Sequence, residues 1–308
     1  MMPLLTGLDL WPRFRFRGPD RKKFLQGLLT GDLLSLSPGG VLPSLVLTPK
    51  GMLLGDFVLY DRGDDLLAAG RPAAMANLQE ALTLKLTLSQ TTLEQEPGGL
   101  LHLCGSRSVD ALRILFGTSV QPGRCFSSVI EDRPVWLLPY EGFQSGGWLI
   151  HVPDLGGAEA ARLIRDKVPW LVPAGDAVLE ILRVERGTPV YGVDMDSTTL
   201  PQEARLEGAI SFTKGCYMGQ ETVSRIKNLG HVNSLLAGLK LVEVPPPGAV
   251  VHSGEKEIGA ISSAVASGRL GGGLALALVR AEDAEPGRAL SVSWDGRRSA
   301  AEVVRLPL

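Results

Sequence analysis

Past position 236 the chain breaks into short β-rich pieces, and their spacing limits the folds open to it. Residues 239–244 alternate apolar and polar side chains, and Pro245-Pro246-Pro247-Gly248 turns the chain. The pieces 249–251, 258–263, 274–279, 290–294 and 301–306 follow, separated by glycine or charged turns. Strands this short leave costly open edges unless they pair with one another. The pattern predicts a small antiparallel β-barrel. A boundary near Ser234 then gives a first region over 1–234 and a barrel domain over 235–308.

The first region reads as mixed helix and strand. Arg13-Phe14-Arg15-Phe16-Arg17 alternates basic and aromatic residues, as a half-exposed strand does. Gly18-Pro19-Asp20 opens a helix with Asp20 as its N-cap, and Phe24, Leu25, Leu28 and Leu29 recur at helical spacing. Strands are expected at 42–47 and 52–60, joined by Thr48-Pro49-Lys50-Gly51, and at 66–69, 100–104, 135–139 and 147–152. Helices are expected from Pro72, over 108–116, 158–168 and 176–185, with a loop at 141–146. Asp56 lies inside a predicted strand, where a lone acid ordinarily faces water.

Several function classes find no support. The formal net charge of −2 gives no global pull towards nucleic acid or an anionic membrane. No G-x-G-x-x-G or Walker sequence follows any predicted strand, so nucleotide binding by those routes is not expected. The three cysteines, Cys104, Cys125 and Cys216, form no C-x-x-C pair, and the four histidines show no metal-ligand spacing. No metal site is expected. The longest apolar run near the C-terminus, 274–279, is far too short to span a bilayer. Without a signal-peptide pattern at the N-terminus, a cytoplasmic location is the expectation.

The chemistry concentrates in Phe212-Thr213-Lys214-Gly215-Cys216-Tyr217-Met218-Gly219-Gln220-Glu221. Two glycines bracket a lysine, a thiol, a phenol, an amide and a carboxylate, as a tight loop presenting polar groups would. An ammonium two positions from Cys216 favours thiolate, making a nucleophile, redox centre or soft-metal ligand. By itself, Cys216 reads as a packed small hydrophobe; the glycine bracket and the polar neighbours turn the reading towards function. Upstream, Arg183-Val184-Glu185-Arg186-Gly187 ends a helix pattern and runs into a turn. A carboxylate there can accept two parallel N–H bonds from a planar heterocycle, or pair with a neighbouring arginine on a wet face.

These residues carry a resemblance. Lys214-Gly215-Cys216-Tyr217-x-Gly219-Gln220-Glu221 resembles the K-G-C-Y-x-G-Q-E motif of the YgfZ family, folate-binding relatives of the glycine-cleavage T-protein, an aminomethyltransferase. Asp20 to Asp32 is similar to that family's D-x-x-x-F-L-Q-G-x-x-T-x-D segment. Arg183 to Gly187, followed by Tyr191-Gly192-x-Asp194, resembles the T-protein region whose glutamate holds the pterin.

The resemblance implies a three-lobed, cloverleaf α+β fold with a terminal barrel and a tetrahydrofolate cleft. It implies a folate-binding accessory protein that supports iron–sulfur proteins or their assembly factors, and through them enzymes such as tRNA methylthiolases. Carried over residue by residue, it makes Cys216 the reactive group and Glu185 the pterin partner. Arg183, Lys214, Tyr217, Gln220 and Glu221 become cofactor-binding residues, with Arg225 or Lys227 receiving the glutamate tail. The alternative is a folate-dependent aminomethyltransferase. T-proteins use a strand aspartate near the folate, and Asp56 in Gly55-Asp56-Phe57 matches it by position. One segment departs from the T-protein pattern: Ala68-Ala69-Gly70-Arg71 stands where a polar asparagine–alanine segment is expected.

Overall fold

The computed structural model describes residues 3–308 except 118, 119 and 144, so Gln144 of the expected 141–146 loop lies outside the described residues. The chain divides into two compact units. The first comprises Met1–Val46, Leu54–Asp176 and Ala209–Met218; the second comprises Leu47–Leu53, Ala177–Gly208 and Gly219–Leu308.

Two sheets build the first unit. One has the order Val172–Pro173, Leu4–Gly7, Gly99–Cys104, Trp148–Val152, Arg133–Pro139, Phe126–Ile130. The other has the order Val41–Leu47, Leu53–Asp61, Leu66–Ala69, Arg13–Arg17, Thr92–Gln95. Alternate residues of a strand point to opposite faces, so each sheet has two different surfaces to satisfy. On one face of the first sheet, Leu5, Leu101, Leu103, Leu137 and Ile150 pack against the helices Ser108–Phe116 and Gly157–Lys167. On one face of the second, Phe14, Phe16, Phe57, Leu59 and Ala68 pack against Leu25, Met75, Leu78 and Leu82 of the helices Arg21–Gln26 and Pro72–Leu86. Gly55 permits that close approach, because a Cβ there would stand 2.8 Å from the backbone of Ala74.

The helix-free faces of the two sheets meet each other, and this interlayer is polar and aromatic. Tyr60 donates its hydroxyl to Pro139 O at 3.0 Å. Arg62 lies 4.9 Å from the Trp136 ring centroid and forks onto Glu96 with two bonds of 2.7 Å. His151 is fully buried 3.5 Å from Glu96, with Nε2 2.9 Å from Pro97 O. Arg13 donates to the carbonyls of Trp11 and Gly98. Burial, the largest single influence, would raise the Glu96 carboxyl, but the bonds from Arg62 together with the nearby charges, Arg62 foremost, hold the group below its usual range. Burial pushes the His151 imidazole down to about 4, so it is neutral at pH 7.

In the second unit, the strands Ser234–Leu241, Gly272–Arg280, Lys256–Ser267, Val250–Ser253, Ala289–Trp294 and Arg297–Val304 pair in that order and close into an antiparallel barrel. Ala237, Leu239, Val251, Ile261, Ala275, Ala277, Val279, Val292 and Val303 fill it. The small side chains among them suit the narrow interior of a barrel this size. Outside it, Val184 and Ile181 of the helix Asp176–Arg186 pack with Leu236, Val265, Leu274 and Leu276.

The expected mixture of helix, strand and terminal barrel is present. Several elements differ from expectation. Asp20 stands at the N-cap position, but its side chain makes no capping bond; its carboxylate accepts from Gln90 N at 3.0 Å and Thr91 Oγ1 at 2.8 Å, tying the helix start to a distant turn. Thr92–Gln95, exposed and mostly polar, and Phe126–Ile130, short and only partly buried, are edge strands that were not expected. Gln220–Leu229 is a helix, begun at Gly219 in a left-handed conformation (φ +81°) where a Cβ would meet Thr48 O at 2.7 Å.

The interlayer network makes a direct prediction. Glu96→Ala removes one of the two carboxylates that Arg62 forks onto, leaving its bonds to Asp65 at 2.6 and 2.9 Å, and is expected to cost about 1.5–3 kcal/mol in urea unfolding. A loss under about 1 kcal/mol would show that water reaches this layer.

Candidate functional site

Two sequence segments that lie far apart in the chain form one structure in the first unit. The turn after the helix Arg21–Gln26 exposes carbonyls that have no partner in the helix. Lys214 supplies those partners. Its Nζ donates to Gln26 O at 2.6 Å, Leu29 O at 2.5 Å and Gly31 O at 2.7 Å. Met218 N donates to Gly27 O, Ser211 N to Thr30 O, and Thr30 Oγ1 to Ala209 O. Inside the turn, Gln26 Nε2 donates to Asp32 at 2.8 Å and Gln26 Oε1 accepts from Leu33 N at 2.7 Å. The bond from Gln26 is the main reason the Asp32 carboxyl sits below its usual range.

An ammonium has three protons, and Lys214 spends all of them on backbone carbonyls. Its role here is to stitch the loop, and its charge is directed into the turn. Burial pulls its pKa down to about 8, with Asp32 opposing through its charge. The three carbonyls also oppose, since they need the proton that binds them. Tyr217 packs its ring 4.9 Å from Nζ and is buried, which raises its phenol. Cys216 stands between these two anchored residues, exposed and as a free thiol.

Asp56 occupies a different place in the same unit. The strands Leu53–Asp61 and Leu66–Ala69 pair antiparallel with Val58 opposite Ala69. Continued past the strand end, that register sets Asp56 opposite Arg71, both on the interlayer face. The acid is therefore not on a wet face. Among the described residues, its Oδ1 is buried with no hydrogen-bond partner. Burial raises its carboxyl to about 6, against the lowering effect of Arg71.

Arg71 itself lies 5.3 Å from the Trp11 ring centroid and 5.4 Å from that of Phe143. Tyr140 completes the wall, with centroids 5.5 Å from Trp11 and 5.6 Å from Phe143. Behind it, His102 is fully buried 4.8 Å from Phe143, and burial holds its imidazole near 3, hence neutral. Trp11, Arg71, His102 and Phe143 were not anticipated as site residues. Arg71 alone left a trace in the sequence, as the departure from the T-protein pattern at 68–71.

The remaining predicted residues belong to the second unit. Arg183 and Glu185 share the helix Asp176–Arg186 but serve separate networks. Arg183 is buried and bonds Glu180, Asp194 Oδ2 at 2.8 Å and Ser263 Oγ at 2.5 Å, while Asp194 Oδ1 accepts from Ser262 and Ser263. That network clamps the helix to the barrel strand Lys256–Ser267, so Arg183 is a structural anchor in this arrangement. Glu185 accepts from Ser267 Oγ at 2.7 Å and pairs with Arg269 Nε at 3.2 Å. Each of its oxygens keeps a second lone pair, so acceptor capacity remains. Gln220, Glu221 and Arg225 lie on the helix Gln220–Leu229; Glu221 and Arg225 are exposed. Among the described residues, no group of three or more histidine, cysteine, aspartate or glutamate side chains could hold a metal. Nor, among the described residues, is any helix long and apolar enough to cross a membrane.

Comparison with known proteins agrees with this architecture. Residues 8–214 match the GCVT N-terminal domain, and residues 235–308 match the glycine cleavage T-protein C-terminal barrel domain. The chain belongs to the glycine cleavage T-protein family. It is 30% identical over 305 residues to an aminomethyltransferase of Mycobacterium leprae, covering 94% of this chain and 81% of that protein. It is 28% identical over 315 residues to one from a Nostoc species, covering 96% and 81%. In fold it is similar to the glycine cleavage system aminomethyltransferase T of Bartonella henselae, with a TM-score of 0.88 at 20% identity, covering 99% of this chain and 86% of that one.

The lysine stitch can be broken on its own. Lys214→Met leaves three carbonyls without their donor and is expected to lower stability by about 2–4 kcal/mol in urea unfolding. Iodoacetamide labelling of Cys216 should then accelerate as the loop loosens. Unchanged stability and labelling would show that the lysine does not hold the loop.

Proposed function

We propose that this protein binds a reduced folate and carries out aminomethyl-type one-carbon transfer, with Asp56 acting on the amine donor. One observation carries the reading: Asp56 is a half-buried residue whose Oδ1 is buried without a partner, acted on by the charge of Arg71, which itself stands against the Trp11 and Phe143 rings. Leaving such a group unpaired costs stability, and that cost is common where a side chain must meet a ligand. The relatives bearing the name aminomethyltransferase support the same choice. When bound, tetrahydrofolate supplies nitrogen atoms that accept a one-carbon unit.

The chain's own residues would do the following. Trp11, Tyr140 and Phe143 offer flat apolar surface that excludes water. Asp56 accepts a hydrogen bond from an amine and, as a carboxylate, stabilises positive charge developing on it. With its pKa near 6 it is mostly ionised at pH 7, yet close enough to neutrality to exchange a proton there. Glu185, the pterin partner that the resemblance names, keeps the acceptor capacity that role needs.

A second reading has its own support. Cys216 is an exposed thiol on a loop pinned from both sides by Lys214 and Tyr217. That arrangement suits a folate-binding accessory protein for iron–sulfur proteins, in which the thiol meets a partner and turnover is not required.

The two readings separate cleanly. Wild type with tetrahydrofolate and an amine donor is expected to form a folate-linked one-carbon product, and Asp56→Asn should slow it about a hundredfold or more. Turnover indifferent to Asp56→Asn would defeat the transfer reading. Calorimetry tests the shared part: Glu185→Gln should weaken tetrahydrofolate about tenfold or more, and no binding by wild type at millimolar ligand would remove both readings.

A further inference from the structure

The guanidinium of Arg71 is held by ring faces alone. Among the described residues it makes no hydrogen bond and no ion pair; its contacts are the cation–π approaches to Trp11 and Phe143. A cation–π approach commits none of the guanidinium's N–H donors to a hydrogen bond. An arginine with its donors uncommitted can take a planar, bidentate acceptor. Its neighbour across the strand pair, Asp56, has a buried oxygen that is equally unspoken for. The two opposite charges act on one another through space without closing an ion pair. A closed pair would satisfy both groups, so the gap between them is costly unless a ligand fills it.

The geometry points to a zwitterion site: Arg71 takes the carboxylate, and Asp56 the ammonium, of a small free α-amino acid or its N-methylated form. This rests on the proposed role of Asp56 and names the class of amine that the site would hold; it is a claim about binding. Arg71 is then a specificity residue, selecting an amine that carries its own carboxylate over a simple alkylamine. It also explains why a long cationic side chain stands where the T-protein pattern has a polar, neutral segment.

The test is calorimetric titration of the full chain with sarcosine, methylamine and acetate, with tetrahydrofolate titrated into the same samples. Sarcosine is expected to bind about tenfold or more tightly than methylamine or acetate. Arg71→Gln should bring sarcosine down to the methylamine level and leave methylamine unchanged. Arg71→Lys, which keeps the charge but loses the fork, should fall between, and it answers the question if Arg71→Gln does not fold. Asp56→Asn should weaken both amines. Equal affinity of wild type for sarcosine and methylamine overturns the proposal, as does Arg71→Gln binding sarcosine like wild type. If Arg71→Gln instead loses tetrahydrofolate without any sarcosine preference in wild type, the arginine serves a folate carboxylate; the zwitterion site falls and the folate reading stands. Failure of wild type to bind tetrahydrofolate while it still prefers sarcosine has the opposite meaning.

Discussion

Two sheets, each backed by helices on one side, must still bury their other sides, and in the first unit they bury them against one another. The buried polar groups between the sheets follow from this packing. A layer between two sheets is shut off from water, yet this one holds Arg62, Glu96, His151, Tyr60 and Asp56. Such groups are tolerable when paired and costly when they are not. Most are paired: Arg62 forks onto Glu96, and Tyr60 reaches a carbonyl. Asp56 and Arg71 remain open at the end of the same strand pair. The contrast within one layer gives the open pair its meaning, because the surrounding fold has shown that it can satisfy buried charge.

The loop around Cys216 is held by a different economy. Lys214 satisfies the orphan carbonyls of a short helix, so the N-terminal motif and the K-G-C-Y motif are two halves of one joint. The joint fixes Cys216 at the surface on a rigid base. Rigid presentation of an exposed thiol is compatible with partner contact and adds nothing by itself to one-carbon chemistry. Asp56 and Cys216 therefore carry different readings of function, and each can be tested without the other.

Much of the fold was legible because periodicity reports burial. The barrel announced itself through short strands between glycine turns, and 108–116 read as a helix from its apolar spacing alone. The edge strands Thr92–Gln95 and Phe126–Ile130 did not: the first has mostly exposed side chains, and the second is a five-residue piece with two serines among its apolar residues. At the site, local sequence named Lys214, Cys216 and Asp56 but misjudged their surroundings. Lys214 looked like a partner for the thiol two residues away, yet its acceptors lie more than 180 positions upstream. Asp56 looked wet because strand alternation says which face a residue takes, not what covers that face. Trp11 and Phe143 come from loops with no period at all, so only the tertiary fold brings them to Arg71.

The central claim is that sheet-on-sheet packing desolvates Asp56. Carbon-13 NMR titration of the aspartate carboxyls, with Asp56→Asn to assign the signal, measures this directly. The account predicts a midpoint near 6, rising further in Arg71→Gln as the opposing charge is removed. A midpoint near 3.8, unmoved by that substitution, would mean that Asp56 is solvated and would contradict it.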